Sequence, residues 1–283
     1  MGILDHKIDF AVILSVKNAN PNGDPLNGNR PRQNYDGYGE ISDVCLKRKI
    51  RNRLQDQGER IFVQSDDRKD DGCNSLKERA DSVEDLKKNT KNTDLYHDIA
   101  CQTWIDVRSF GQVFAFKKGK SDQSGISVGV RGPVSIHPAV SVHPVDITTI
   151  KITKSVNSET SEKKSSDTMG DKHRVDFGVY VFYGSINVQL AEKTRFTSED
   201  AEKIRQSLLT LFENDASSAR PDGSMEVHKV FWWEHNSKLG QYPSAKVHRS
   251  LSVKPKVDQP RSINDIDVNV ERLEGLSLKI YDR

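Results

Sequence analysis

The segment from Lys7 to Val16 constrains the fold more than any other part of this chain. Every second side chain is large and apolar, and two residues between them are apolar as well: Ile8, Phe10, Val12, Leu14 and Val16, with Ala11 and Ile13 on the other side. Alternation is typical of a strand that faces a core, and apolar residues on both sides indicate burial on both faces. We therefore predict a central strand of a sheet.

A long polar loop and a helix follow this strand. The segment from Asn18 to Gly39 is rich in Asn, Gly, Pro and Asp, so we predict an ordered loop without regular secondary structure. Ser42 is a good N-cap, and Leu46, Ile50 and Leu54 recur at four-residue spacing. This pattern predicts a helix whose narrow apolar stripe packs beneath the sheet.

Basic residues gather around the predicted helix. Two lie in the loop before it, three on its flank, and two beside glycines further along the chain: Arg30, Arg32, Lys47, Arg48, Arg51, Arg108 and Arg131. A glycine lets a backbone or a phosphate approach closely, and the helix N-terminal amides at Ser42 add donors for an anion. These groups could bind a single-stranded phosphate backbone. The alternative is that they are ordinary solvated surface charges.

The middle of the chain predicts two insertions. Residues 60–103 form a predicted helical finger, in which Ser75 begins an amphipathic helix that continues to Leu86 and a second short helix begins near Leu95. Trp104 to Phe116 is predicted to be a strand. Residues 136–175 form a predicted protruding β-hairpin, or thumb, because a β-branched segment leads into the almost wholly polar stretch 155–171 and returns near His173.

The C-terminal half completes the predicted fold. Thr197 and Asp200 fit a capping box at the start of a helix over 198–213. Further strands are predicted at 177–190, 227–233, 246–254 and 276–281. The order predicts an α+β fold: a modified ferredoxin-like or RRM-like antiparallel sheet with helices on one face, forming a single palm over residues 1–283 with two insertions. The aromatic RNA-reading motif of an RRM is missing.

Composition and cysteine content limit the function classes. The net charge of +2 over 283 residues does not by itself indicate a polyanion partner. No apolar run approaches the roughly 20 residues that span a bilayer, and no signal-peptide pattern is present, so we expect no membrane partner and a cytoplasmic protein. Cys45, Cys73 and Cys101 are far apart and are expected to be free thiols.

No motif indicates a catalytic residue, a cofactor or a metal. The segment from Gly125 to Gly132 is rich in glycine, but it lacks the Lys-Ser/Thr ending of a phosphate-binding loop and Pro133 follows it. His137 and His143 lie in an extended segment without a nearby acidic partner, which is atypical of a metal site. We therefore expect neither a cofactor nor a bound metal.

Several motifs resemble those of a known family. They are Asn-Pro-Asn-Gly-Asp-Pro at 20–25, Gly28-Asn-Arg-Pro-Arg32, and Ser42 with Leu46-Lys-Arg48; further matches lie at 106–113, 130–134 and 217–225. In these blocks, which follow one another over most of the chain, the sequence resembles the backbone subunit of the CRISPR interference complex Cascade, in its subtype I-C form.

The resemblance implies a function and a set of partners. It implies a non-catalytic subunit that binds the CRISPR guide RNA, oligomerises head to tail along it, and presents it for pairing with target DNA in antiviral defence. It places Asn18, Ser42, Lys47 and Arg51 at positions that face or grip the RNA. Other implied partners are a handle-binding subunit, a large target-scanning subunit and a helicase-nuclease recruited by the complex. The length of 155–171 leaves the contacts of the thumb unassigned.

Two other functions stay open. In the related type III backbone family, an acidic residue in a comparable loop cuts RNA with a divalent metal, so Asp24 makes a metal-dependent ribonuclease the main alternative. Aspartate is also a standard turn residue, which is the simpler interpretation of Asn-Gly-Asp-Pro. The second alternative is a general RNA-binding protein that acts outside any complex.

Overall fold

The computed structural model describes residues 2–116, 125–153 and 169–283. Within these ranges the strands are β1 Ile8–Ala19, β2 Gly23–Asp24, β3 Arg30–Pro31, β4 Tyr38–Ile41, β5 Gln112–Phe116, β6 Ile126–Val130, β7 Val134–Ile136, β8 Ala139–Pro144, β9 Ile147–Thr153, β10 Met169–Ile186, β11 Met225–Glu234, β12 Leu251–Pro255, β13 Ile266–Val270 and β14 Ser277–Asp282. The α-helices are α1 Asp43–Asp56, α2 Leu76–Asp81, α3 Glu84–Lys88, α4 Thr93–Thr103, α5 Ile105–Phe110, α6 Val188–Thr194, α7 Ser198–Leu209 and α8 Ser244–Arg249.

The largest sheet has the strand order of a ferredoxin-like fold. β11, β1, β10 and β8 lie side by side in that order, and each neighbouring pair is antiparallel. α1 lies in the connection from β1 towards β8, and α7 lies in the connection from β10 to β11, which is the split βαβ arrangement. β14 and β4 extend the two edges. The predicted α+β fold with a large antiparallel sheet is confirmed.

β1 is buried on both faces, as its sequence predicts. Its even-numbered apolar residues face α1 and α7, where Leu46, Ile50 and Leu54 of α1 and Ile204 and Leu208 of α7 are fully buried. Burial of each such side chain stabilises the folded state by about 1.5–3 kcal/mol. The narrow stripe is therefore enough to fix α1 beneath the sheet and leave its flanks for charged residues.

The other face of the sheet is covered by the C-terminal part of the chain. Ala11 and Ile13 of β1 pack in one cluster with Val247 of α8, Leu251 of β12 and Ile266 of β13. The predicted layout has helices on one face only, and the short helix α8 departs from it. In an RRM this face is open and its aromatics stack on RNA bases. Here the central strand is covered, so RNA would have to bind elsewhere.

A separate small core holds the inserted helices. Phe62, Tyr96, Trp104 and Phe114 form an aromatic cluster, with ring centroids 4.7 Å apart for Phe62 and Trp104. The β5–β6 hairpin closes it, since Val128 and its neighbours pack against the same rings. The finger boundaries 60–103 stay a prediction, as do those of the palm.

Three strand predictions are partly wrong. The strand predicted over 177–190 ends at Ile186, and Val188–Thr194 form α6. The other two predicted strands each begin with a helix. Residues 105–110 form α5, and only Gln112–Phe116 is a strand. Asp106 accepts hydrogen bonds from the backbone amides of Phe62 and Val63, so long-range contacts hold this turn as a helix. Residues 244–249 likewise form α8, and the strand begins only at Leu251, because Val247 must point into the core between strands. Tertiary packing overrides weak local preference in both cases.

Two smaller differences concern the loop and the finger. The loop from Asn18 to Gly39, predicted to lack regular structure, contains the end of β1, the paired strands β2 and β3 and the start of β4. The helix predicted from Ser75 to Leu86 is two short helices, α2 and α3, which separate at Val83. Neither change moves the predicted core.

The predicted hairpin is present at its base. β9 pairs with the first half of β10, from Met169 opposite Thr153 to Val175 opposite Ile147. β8, which lies inside the predicted limits 136–175, and β7, which ends at residue 136, pair with the second half of β10 in the main sheet. The polar tip at 154–168 lies outside the described residues. Among the helices of the described ranges, none combines the length and the apolar character needed to cross a membrane.

Candidate nucleic-acid interface

The start of α1 has the predicted capping geometry. The Ser42 hydroxyl accepts a hydrogen bond from the Cys45 amide at 3.3 Å. The side-chain carbonyl of Asn22 accepts one from the Ser42 amide at 2.9 Å, so the loop after β1 is tied to the helix. The positive end of the helix dipole therefore lies beside the polar loop, where it favours an anion.

Lys47 is a partly exposed cation of the predicted helix flank. Its ammonium lies 2.9 Å from the Asp43 carboxylate, one turn away, and 26% of its side chain is exposed. Ion pairs of this kind on a helix surface contribute only about 0.3–0.5 kcal/mol to the stability of the fold. A phosphate can therefore replace the carboxylate with little loss of stability. Lys47 is thus available to an external anion.

Arg48 and Arg51 instead hold α1 to Val63 and to α5. Arg48 donates to the Val63 carbonyl, and burial together with the nearby Arg51 charge lowers the pKa of Arg48. Arg51 donates to the Asp106 carboxylate at 3.0 Å, and its guanidinium lies 5.1 Å from the Phe110 ring centroid. Both residues lie on the predicted flank, but these donors are used inside the protein.

Arg108 forms another internal ion pair. The prediction that it lies in a strand is wrong, since it lies on α5 and its guanidinium binds both oxygens of Asp200, at 3.0 and 2.7 Å. Asp200 also closes the capping box with Thr197 at the start of α7. Arg108 therefore clamps α5 to α7, and its place in an RNA interface stays a prediction.

Arg131 and Gly111 meet at the end of the β5–β6 hairpin. Gly111 has a φ of +83°, and a Cβ on it would lie 2.4 Å from the Val130 carbonyl oxygen and 3.2 Å from the Arg131 Cα. The group that approaches this glycine is thus the backbone of residues 130–132. The Arg131 side chain is exposed, which leaves it free to contact a solvent-side ligand.

Asn18 lies at the far end of β1, where several polar groups gather. Its backbone is left-handed with a φ of +54°, which turns the chain into the loop. Lys17, Asn18 and Arg174 line the same cavity. Nearby, Arg30 of β3 donates to the Thr149 hydroxyl of β9 at 3.0 Å, so the loop hairpin is joined to the base of the thumb.

The seven predicted site residues therefore fall into separate groups. Lys47, Arg48 and Arg51 share one flank of α1, and Ser42 is its N-cap. Asn18 lies near the end of β1, and Arg108 and Arg131 lie on or near α5. Sequence analysis missed Arg174, which lies on β10 near Asn18. Only the β1–β10 register, with Ala19 opposite Val175, brings the two together, and no local motif indicates that register.

Asp24 has the contacts of a turn residue. Its carboxylate accepts a hydrogen bond from the Leu26 amide at 3.2 Å and lies 3.5 Å from an Arg32 nitrogen. In the described part of the chain no three histidine, cysteine or acidic side chains are grouped as metal ligands. A metal at Asp24 would have to rely on this single carboxylate, which already has a cationic neighbour.

Comparisons with known proteins identify the family. Residues 6–271 match the family described as "CRISPR-associated protein Cas7". A curated CRISPR-associated protein Cas7 from Haloferax volcanii is 25% identical over 299 residues, covering 98% of this chain and 84% of the relative. Two solved chains, from a "CRISPR RNA-guided surveillance complex, pre-nicking" and a "CRISPR RNA-guided surveillance complex", are 16% identical, with TM-scores of 0.47 and 0.46, and cover 80% of this chain and 75% and 68% of theirs. Because the family match includes nearly the whole sequence, this chain belongs to the Cas7 family of CRISPR-associated proteins.

Proposed function

We propose that this chain is the guide-RNA-binding backbone subunit of a CRISPR surveillance complex. The family match over residues 6–271 carries the proposal. The geometry supports it, because the N-terminus of α1 lies beside the polar loop, Lys47 on the same helix is partly exposed, and a polar cavity lies at the end of β1. These are groups that bind a nucleic-acid backbone without reading its sequence.

The finer features of this function follow the sequence resemblance. We propose a subtype I-C subunit that is not an enzyme and whose copies assemble head to tail into an open helical oligomer along the guide, since such contacts are heterologous. Sequence recognition would belong to pairing between guide and target DNA. The proposed partners are the handle-binding subunit, the large target-scanning subunit and a recruited helicase-nuclease, all in the cytoplasm.

The contacts of the cations suggest a division of roles. Lys47 and Arg131, which are accessible, would contact phosphates, while the amides at Ser42 and the side chain of Asn18 would add neutral donors. Arg48, Arg51 and Arg108 donate to groups inside the protein and would act by positioning α1 and α5. Their remaining N–H groups can still face the RNA, as the resemblance implies for Arg51 and as the sequence pattern predicts for Arg48 and Arg108.

A salt titration of RNA binding tests this proposal. Gel-shift assays of the full chain with single-stranded RNAs of increasing length should show stepwise binding that weakens with salt. Lys47→Ala should reduce the slope of log K against log salt by about 0.7, the value for one phosphate contact on a single strand. Lys91→Ala removes the same charge from an exposed position in the finger and should leave the slope unchanged. Equal slopes for all three proteins would remove Lys47 from the interface.

The same assay separates the two alternatives. RNA fragments that form with magnesium, disappear with EDTA and disappear in Asp24→Asn would make the chain a metal-dependent ribonuclease and contradict the scaffold. One bound protein on RNAs of every length would indicate a solitary RNA-binding module. Stepwise binding to longer RNA, with the RNA intact under both conditions, supports the backbone subunit.

A further inference from the structure

The C-terminal layer leaves part of the main sheet uncovered. Val140 of β8 and Val181 of β10 are directly opposite each other, so their side chains lie on the same face of the sheet. Val181 is buried in the cluster that contains Leu251 of β12, whereas Val140 is 43% exposed. An open cavity of about 740 Å³ lies over this area and extends past β8 to Glu40 of β4. The covering layer therefore ends at β12, before it reaches the edge of the main sheet.

β12 borders this cavity with its free edge. Four successive residues, 251–254, line the cavity. Because successive side chains of a strand point to opposite faces, a cavity that all four residues line runs along the edge of the strand. β13 pairs with the other edge over Leu251–Pro255, and in the described ranges β12 has no second strand beside it.

The hydrogen bonds of this pair show which backbone groups face the cavity. The Lys256 amide donates to the Asp265 carbonyl of the connection to β13, and the register has no shift between Leu251 and Pro255. In an antiparallel pair, residues alternate between pointing their N–H and C=O towards the partner and away from it. The N–H and C=O of Val253 therefore point away from β13. Pro255, the next residue with this orientation, has no N–H, which limits the free edge to a few residues.

The cavity is basic on the β12 side. Arg249 of α8 and Lys254 of β12 are exposed and line it, while Glu40 is the acidic residue on the opposite wall. Leu251 and Val253 pack towards the main sheet, so Lys254 between β12 neighbours points the other way. A strand beside β12 would thus place one row of side chains on the apolar area and the other row near these two cations.

We propose that this cavity binds an extended segment of a partner protein, which adds a third strand to the β12–β13 pair. The main chain of the segment would lie about 4.8 Å from β12 and hydrogen-bond to Val253. Apolar side chains in one row would cover Val140 and Tyr183, and an acidic side chain in the other row would meet Lys254 or Arg249. This proposal goes beyond the proposed function, because its ligand is a protein segment and not RNA.

Fluorescence anisotropy with labelled synthetic peptides tests the proposal on the full chain. The probe is a peptide of about seven residues, a usual strand length, in which valine alternates with threonine and glutamate. It should bind more tightly than a peptide of the same composition without the alternation. Two further probes carry N-methyl groups on alternate amides. Since only one row of N–H groups can face β12, one of these probes should bind like the parent and the other should lose binding. Equal binding of the two methylated peptides, or no binding of the parent peptide, would overturn the proposal.

Three variants locate the binding site. Val140→Gln should weaken binding of the parent peptide by about tenfold or more, because the apolar area that the peptide covers is reduced. Val113→Gln makes the same change on β5, where the side chain is 66% exposed, and should bind the peptide like the unmodified protein. Val253→Pro removes the N–H that points away from β13 and should also weaken binding. Thermal melting checks that each variant folds. Unchanged binding by both Val140→Gln and Val253→Pro would contradict the proposed site.

Two further measurements separate other occupants of the cavity. A uridine oligonucleotide that displaces the peptide would assign the cavity to RNA. Oligomers of the protein alone that become monomers in Val140→Gln, measured by sedimentation velocity, would assign it to a second copy of the chain. Either result would overturn the proposal. Peptide binding that is unchanged when the oligonucleotide is added supports it, and a protein that binds the peptide but no RNA would contradict the proposed function alone.

Discussion

Replacing Arg51 by alanine should destabilise the fold through the carboxylate that it leaves behind. Arg51 Nε donates to Asp106 Oδ2 at 3.0 Å, and the Asp106 side chain is only 1% exposed. Removing one partner of a buried ion pair costs about 3–5 kcal/mol, because the remaining charge stays out of water. The effect is therefore expected to be far larger than that of a surface lysine.

The remaining contacts of Asp106 set the expected size. Asp106 would keep hydrogen bonds from the Phe62 amide at 2.7 Å and the Val63 amide at 3.0 Å, which favour the lower end of that range. The lost contact between Arg51 and the Phe110 ring, 5.1 Å from guanidinium carbon to centroid, adds about 0.5–1 kcal/mol. We expect a loss of about 3.5–4 kcal/mol in the free energy of unfolding.

Urea denaturation followed by circular dichroism measures this loss. The midpoint for Arg51→Ala should fall while the slope with urea stays constant, as expected when stability alone changes. Lys47→Ala is the matched control on the same helix, and its exposed pair with Asp43 predicts a loss of only about 0.3–0.5 kcal/mol. If Arg51→Ala lost no more than Lys47→Ala, the argument that Arg51 compensates a buried charge would be refuted.

Three further results are expected. Arg108→Ala should lower the free energy of unfolding by about 3 kcal/mol in the same assay, because it leaves the buried carboxylate of Asp200 unpaired. The free energy of unfolding should fall from pH 7 towards pH 5. Burial lowers the pKa of His228 and His248, so below about pH 6.5 the unfolded chain takes up protons that the folded chain does not. His248→Gln should weaken this pH dependence. A thiol reagent should modify the native protein slowly at pH 8, because burial raises the pKa of Cys101 to about 12. In urea, the same reagent should modify all three thiols.

The elements that sequence predicts best are those with strong local patterns. β1 follows from its apolar alternation, and α1 and α7 from their N-caps and apolar spacing, since Thr197 and Asp200 form the predicted capping box. α5 and α8 have six residues each, too few to show helical periodicity, and their helical form depends on packing with distant segments. The errors therefore occur where a short segment carries little local information.

The candidate interface shows the same division between local and long-range information. Helix periodicity gives the flank on which Lys47 and Arg51 lie, but the partner of Arg51 is 55 residues away and that of Arg108 is 92 residues away. No spacing rule connects such pairs, so the sequence cannot separate a cation that binds RNA from one that neutralises a buried carboxylate.

The distinction matters for RNA affinity. A guanidinium that already balances a buried carboxylate adds little net charge at the surface, whereas Lys47 can exchange an exposed carboxylate for a phosphate with little loss of stability. The salt dependence of RNA binding should therefore depend mainly on Lys47 and on exposed residues such as Arg131. Arg51 and Arg108 should affect RNA binding mainly through the stability and position of α1 and α5.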